Sequence, residues 1–199
     1  MNASELSALL LLATAMSFTP GPNTALSSAL AANHGLRGAL PFICAVPAGW
    51  GLVMLLSAAG VGALVMAEPA LALAIKLLGV AYLLWLATKL ARSARLGEAD
   101  ARRLHIGFAQ GVLLQFVNIK AWMLALAIVA GWVAGHADAW WRMAQVLPVF
   151  LCFAFFSNLT YALVGALLRG WLAQGQRLLW FNRTMALVLV LTAIWLLRT

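Results

Sequence analysis

Apolar residues run almost unbroken from Leu6 to Phe18, pause at Thr19-Pro20-Gly21-Pro22-Asn23, and resume from Ala25 to Ala32. Polar punctuation delimits this stretch and five more, at about 4–32, 39–66, 69–91, 106–134, 142–168 and 179–197. Each is near or above the roughly 18 to 20 residues that span a bilayer core, so the pattern predicts an all-α, polytopic membrane protein with six transmembrane helices. The connections fall at Asn33 to Gly38, a tight Glu68-Pro69 turn, Arg92 to His105, Gly135 to Trp141, and Arg169 to Leu178. None reads as an interdomain linker, which predicts a single transmembrane domain over 1–199.

The pause in the first stretch is the most informative local feature. A proline has no N–H and clashes with the carbonyl four residues back, so Pro20 frees the carbonyl of Met16 and Pro22 that of Phe18. Non-helical backbone at membrane depth survives only where protein buries it or a wet cavity adjoins it, so the break points to a binding site.

Composition agrees with a lipid environment: of 199 residues, 65% are hydrophobic and 9% charged. The net charge of +8 does not read as nucleic-acid binding, because the basic residues lie between apolar runs, as expected for cytoplasmic loops. Arg37, Lys89, Arg92, Arg95, Arg102, Arg103, Arg169, Arg177 and Arg183 fall on one side, against Arg142, Arg198 and a snorkelling Lys76 on the other. That asymmetry predicts odd loops in the cytoplasm and both termini outside it. Trp132, Trp140, Trp141 and Trp195 then form an outer aromatic belt, with Trp171 and Trp180 at the inner face. A cleaved signal peptide is disfavoured, since no basic region precedes Leu6 and the apolar pattern continues past the prolines.

Lys120 fits no belt. It lies about midway along the fourth stretch, with Asn118 two residues before it and Gln115 a turn earlier. An ionisable group at that depth costs about 2.5–3.5 kcal/mol on insertion scales and marks a functional site by default. Asn118 to Lys120 also answers Pro20 to Asn23, each interrupting the first span of its half. Pro47 and Pro148, and Cys44 and Cys152, likewise occupy the second span of each half. Two three-span units in series must be inverted, which predicts inverted repeats over about 1–97 and 98–199 with an interrupted first helix.

Phe18-Thr19-Pro20-Gly21-Pro22-Asn23, followed by Gly35-Leu36-Arg37-Gly38, resembles the opening of the LysE/RhtB family of amino-acid exporters. Leu77 to Leu86, with Arg92-Ser93 after it, is similar to that family's third span, and Phe108 to Gly111 leading to Asn118-Ile119-Lys120-Ala121 is similar to its fourth. Ile119 replaces the usual proline, which implies a fourth helix less sharply broken than the first. Val46-Pro47-Ala48-Gly49 stands where the family tends to have a glycine-spaced stretch.

The resemblance implies export of amino acids or similar small metabolites across a bacterial inner membrane, with protons as the coupling ion. For such a substrate, the freed carbonyls of Met16 and Phe18 are acceptors for the ammonium. The N–H groups of Asn23, Thr24 and Ala25 are donors to the carboxylate, with Lys120 its second partner. Pro20, Gly21 and Pro22 shape the site, and Asn23, Gln115 and Asn118 complete its hydrogen bonding. Trp50 and Trp122 are read as packing residues with a lesser claim to cover the ammonium. Lys120 is the candidate to exchange a proton for substrate, because no carboxylate lies within a span.

Other classes are weaker. There is no phosphate-binding Gly-x-x-x-x-Gly-Lys-Ser/Thr loop, and His34, His105 and His136 lie in separate loops, so neither a nucleotide nor a metal cofactor is expected. A membrane thiol-redox conduit using Cys44 and Cys152 is the main alternative, against reading both as small buried hydrophobes. A structural membrane subunit is the third reading. Gly107-x-x-x-Gly111 and Gly131-x-x-x-Gly135 suit a homo-oligomer or internal packing equally well.

Overall fold

The structure, a computed structural model, describes residues 1–93 and 106–198. Arg95, Glu98, Asp100, Arg102, Arg103, His105 and the expected boundary between halves lie outside those residues. Among the described residues every regular element is helical. These are α1 (Ala3–Phe18), α2 (Pro22–Ala58), α3 (Val61–Ala67), α4 (Pro69–Ala91), α5 (Phe108–Phe116), α6 (Ile119–Ile128), α7 (Ala139–Leu172) and α8 (Arg177–Arg198). A π-helical turn, Val129–Val133, continues α6.

Four of these helices, α2, α4, α7 and α8, are long and apolar enough to cross a membrane, and α5 with α6 makes a fifth span if the bent pair is counted as one. Their outward faces carry large apolar side chains, such as Leu78 at 61% and Leu167 at 82% exposure. An apolar exterior of that extent belongs against lipid. The chain is a polytopic membrane protein.

Local chemistry explains where the helices start and turn. In α1 the Asn2 side chain accepts from the Glu5 N–H at 2.8 Å and the Glu5 carboxylate accepts from the Asn2 N–H at 2.9 Å, a reciprocal cap. Glu5 also pairs with Arg142 of α7 at 3.3 Å, and its carbonyl accepts from Trp132 Nε1 at 3.1 Å. The starts of α1 and α7 and the π-helical turn are thereby tied at one end of the molecule.

Helix α2 has 37 residues, which at about 1.5 Å each would overreach a bilayer core. It does not run straight, because Gly35 has φ 76° and ψ 169°, a conformation that side chains resist, and it divides α2 into arms 22–34 and 36–58. The expected loop over 33–38 is thus compressed into one residue. Beside that turn, three elements share a buried polar network. Asn33 Nδ2 donates to Asn182 Oδ1 at 2.9 Å, Asn182 Nδ2 to the Ser93 carbonyl at 2.9 Å, and Ser93 Oγ to Asn33 Oδ1 at 3.1 Å.

The core lies between α2 and α7, with α5 against α2 and α4 against α8. Two glycines let backbones touch. A Cβ on Gly165 of α7 would collide with the Ser28 carbonyl of α2, and one on Gly79 of α4 with the Val117 carbonyl between α5 and α6. Gly49 packs its α carbon against Val112 and Gln115 of α5, and Gly111 sits against Phe42 and Ala45. Gly111 therefore serves packing within the chain, whereas nothing approaches Gly131 or Gly135 within 4 Å. Cys44 and Cys152 are both free and exposed, which corrects their reading as buried hydrophobes: each helix turns its cysteine outward.

Candidate functional site

The first break spans Thr19, Pro20 and Gly21. Its freed groups are only partly open. The Thr19 hydroxyl donates to the Ala15 carbonyl, and the Tyr161 hydroxyl of α7 donates to the Phe18 carbonyl at 3.0 Å. Phe18 is thus already satisfied by protein and does not line the cavity described below, while Met16 does. On the far side, Thr24 Oγ1 accepts from the Gly21 N–H at 2.9 Å and donates to the Gly21 carbonyl at 3.1 Å. That carbonyl also takes the Ala25 N–H at 2.9 Å, because Gly21 is the first acceptor of α2. Of the three expected donors, Ala25 is therefore committed to its own helix, leaving Asn23 and Thr24 in the first turn.

The second break forms without proline. Helices α5 and α6 meet at a bend of 69° around Val117 and Asn118. Asn118 is extended, with φ −92° and ψ 92°, and its carbonyl starts α6 by accepting from the Ala121 N–H at 2.8 Å. Trp122 Nε1 caps the Phe116 carbonyl at 2.9 Å, and Gly79 gives the Val117 carbonyl room to point at α4. These contacts replace the constraint that proline would impose, so Ile119 does not keep the fourth helix straight.

The two breaks meet. Asn23 Nδ2 donates to Gln115 Oε1 at 3.0 Å and Gln115 Nε2 donates back to Asn23 Oδ1 at 3.1 Å, with a further bond to the Gly111 carbonyl at 3.2 Å. Gln115 is wholly buried behind Asn23 and does not face the cavity. Asn23 thus pairs with Gln115 and not with Asn118, whose own side chain makes no hydrogen bond among the described residues.

Between the breaks lies a cavity of about 120 Å³. Met16, Ser17 and Thr19 to Thr24 form one wall, Asn118, Lys120, Ala121 and Leu124 a second, and Val46 and Trp50 of α2 a third. Phe150, Ala154, Ser157 and Asn158 of α7 close it. Lys120 is the one titratable side chain among the lining residues, and no ion pair holds it among the described residues. Its ammonium lies 5.2 Å from the centroid of the Trp195 ring. Trp50 stacks on Phe150 at 5.4 Å between centroids and forms an apolar floor, whereas Trp122 is buried in packing and caps Phe116. Asn158 accepts from Ser27 Oγ at 2.8 Å and donates one N–H to the Ala154 carbonyl at 2.8 Å. The second N–H remains for a ligand.

Of the expected residues, Met16, Pro20, Gly21, Pro22, Asn23, Thr24, Asn118 and Lys120 share this cavity, and Gln115 supports it from behind. Ser17, Phe150, Ser157, Asn158 and Trp195 were not placed in the site by sequence, and Trp50, read first as a packing residue, lines the cavity while stacked on Phe150. For Ser157 and Asn158 the signal was available, as adjacent polar residues midway along an apolar stretch. For Trp195 it was not, because its position near a span end matches an interfacial tryptophan.

A polytopic helical bundle with a polar cavity at the junction of two helix breaks defines a membrane transport protein. The family model described as LysE type translocator matches residues 14–199, and the chain belongs to that family. It is 33% identical over 177 residues to the cysteine/O-acetylserine efflux protein of Salmonella typhimurium, covering 88% of this chain and 89% of that protein. It is 32% identical over 183 residues to the cysteine/O-acetylserine efflux protein of Escherichia coli K12, covering 92% and 91%. No solved structure matches the chain at a significant level. As a member of that family the chain is a translocator and not an enzyme.

Proposed function

We propose that this protein exports a small, neutral amino acid from the cytoplasm, in exchange for protons, across a bacterial inner membrane. The observation that carries the reading is the lining of the central cavity: one lysine, the amides and hydroxyls of Ser17, Thr19, Asn23, Thr24, Asn118, Ser157 and Asn158, and no carboxylate. A substrate carboxylate has Lys120 and the first-turn N–H groups of α2, and its ammonium has the Met16 carbonyl and the carbonyl of the break. The missing acid disfavours lysine or arginine as cargo, since their second cation would have no partner. A cavity of about 120 Å³ is close to one that holds benzene, which limits the side chain to a few atoms. Cysteine, one of the substrates in the relatives' names, meets both limits; O-acetylserine, the other, meets the limit on charge and has the longer side chain.

The working architecture is six spans as two inverted three-helix repeats in a single domain, with both termini outside the cytoplasm. In support, Gly35 separates a first span (α1 with 22–34) from a second (36–58 with α3), and α5 with α6 makes a fourth. The middle spans pair across the halves as α2 with α7, and the last spans as α4 with α8. Neither cysteine lines the cavity, which weighs against the thiol-redox reading.

Counterflow in proteoliposomes tests the reading. Labelled cysteine and O-acetylserine should exchange, labelled lysine should not, and Cys44→Ser/Cys152→Ser should retain the activity. Exchange of lysine at an equal rate, or loss of all exchange in the cysteine-free variant, would refute it.

A further inference from the structure

Lys120 stands in the wall between two cavities. On one side is the central cavity; on the other a void of about 320 Å³ lies between Pro20 to Pro22 and helix α8, lined there by Val188, Leu191, Thr192 and Trp195. The lysine ammonium points to the second void, 5.2 Å from the Trp195 ring centroid and inside the roughly 6 Å reach of a cation–π contact. Three other basic residues also sit over rings, but Lys89 on Trp85, Arg177 on Trp171 and Arg183 on Trp180 are all near neighbours in sequence. Lys120 and Trp195 are far apart in sequence, on α6 and α8, and meet beside the first break.

We propose that Trp195 is the resting place of the Lys120 ammonium when the central cavity is empty, and that it sets how tightly the site holds a carboxylate. The inference rests on the export reading. An ammonium in this apolar wall needs a counterpart, and among the described residues no carboxylate lines either cavity; the indole face, the strongest of the aromatic acceptors, supplies it. A substrate carboxylate is a stronger partner and draws the ammonium from the ring into the central cavity. Binding therefore gives up the ring contact, and release regains it. The ring weakens binding and speeds unloading, which an exporter working against a gradient requires. The hydroxyl of Thr192 donates to the Val188 carbonyl at 2.8 Å, so it does not spend its proton on the ring.

Trp195 is then a positioning residue, and its signature is a split between KM and kcat. In counterflow with labelled O-acetylserine, Trp195→Leu should lower KM by about 2- to 30-fold, the range of a cation–π contact, and lower kcat with it. Trp195→Phe, which keeps a weaker π face, should fall between. In a Lys120→Gln background Trp195→Leu should leave KM unmoved, because nothing remains to park. An unchanged or raised KM in both tryptophan variants, in wild-type-like amounts by size-exclusion profile, would overturn the proposal while leaving the export reading intact. If Trp195→Leu does not fold, Trp195→Phe decides alone by the direction of its KM. Absence of amino-acid exchange by the wild-type protein would instead remove the export reading, and this inference with it.

Discussion

Asn23 and Gln115 exchange both of their amide hydrogen bonds, at 3.0 and 3.1 Å, and so join the start of α2 to the end of α5 across 92 residues of sequence. Asn23 follows the first break and Gln115 precedes the second. The pair therefore fixes the distance between the two interruptions and, with it, the width of the cavity. Lys120 and Asn118, one turn beyond Gln115, stay free for a ligand because neither is spent on this bridge.

Breaking the bridge from one side should cost more than removing it. Gln115→Leu leaves the Asn23 amide facing an apolar side chain, and an unsatisfied polar group costs about 1–3 kcal/mol. Asn23→Leu leaves Gln115 with the Gly111 carbonyl and so should cost less. Hydrogen bonds between membrane helices average about 0.6 kcal/mol in mutant cycles, with a maximum near 1.7, and a two-bond pair should reach the upper part of that range. The expected result is a double variant less destabilised than the sum of the single ones by about 1 kcal/mol or more. Thermal unfolding in detergent micelles, run on all four proteins, measures it; strict additivity would mean that the pair is not coupled.

The close backbone approaches make a second prediction. A Cβ at position 79 would meet the Val117 carbonyl and one at position 165 the Ser28 carbonyl, and neither acceptor belongs to a side chain that can swing away. Gly79→Ala and Gly165→Ala should each lose folded protein, at a cost of several kcal/mol by the usual scale of overpacking, about 1–3 kcal/mol and more where backbone is met. Gly170→Ala is the control. Nothing lies within 4 Å of it, and alanine is the better helix former by about 1 kcal/mol, so its yield should equal or exceed wild type. The readout is the monodisperse fraction of membrane-extracted protein.

What the residues disclosed in advance divides along a physical line. Pro20, Pro22 and Lys120 were legible because each violates a rule of the bilayer: a lost hydrogen bond or a charge at depth leaves few readings. Asn118 was legible as an interruption and as part of the same site, but the size of the bend there, 69°, was not, since it arises from the Trp122 cap and from Gly79, a residue on another helix. The Tyr161 tether on Phe18 and the Trp195 contact with Lys120 were hidden for a different reason. A helix that is apolar all round carries no stripe to show which face turns inward, so a tyrosine or tryptophan on it has no sequence mark of its neighbours. Gly35 shows the opposite case: its polar surroundings marked a loop, and the fold needed only one residue in a left-handed conformation.

Lys120 carries the prediction with the widest consequence. It is the one titratable group in the cavity wall, so a proton entering this site has no other side chain on which to ride. Lys120→Gln keeps a donor for the substrate carboxylate but no exchangeable charge. A charge-assisted hydrogen bond is roughly twice as strong as a neutral one, so KM for O-acetylserine should rise about tenfold. The sharper test is the driving force. Proteoliposomes with an imposed pH gradient should accumulate substrate with the wild-type protein, whereas the variant should only equilibrate it, because the cavity wall then holds no side chain that can carry a proton. The comparison is made at saturating substrate, so that the weaker affinity cannot mimic uncoupling. Accumulation by Lys120→Gln to the wild-type ratio would show that the proton takes another route and would leave Lys120 as a carboxylate ligand only.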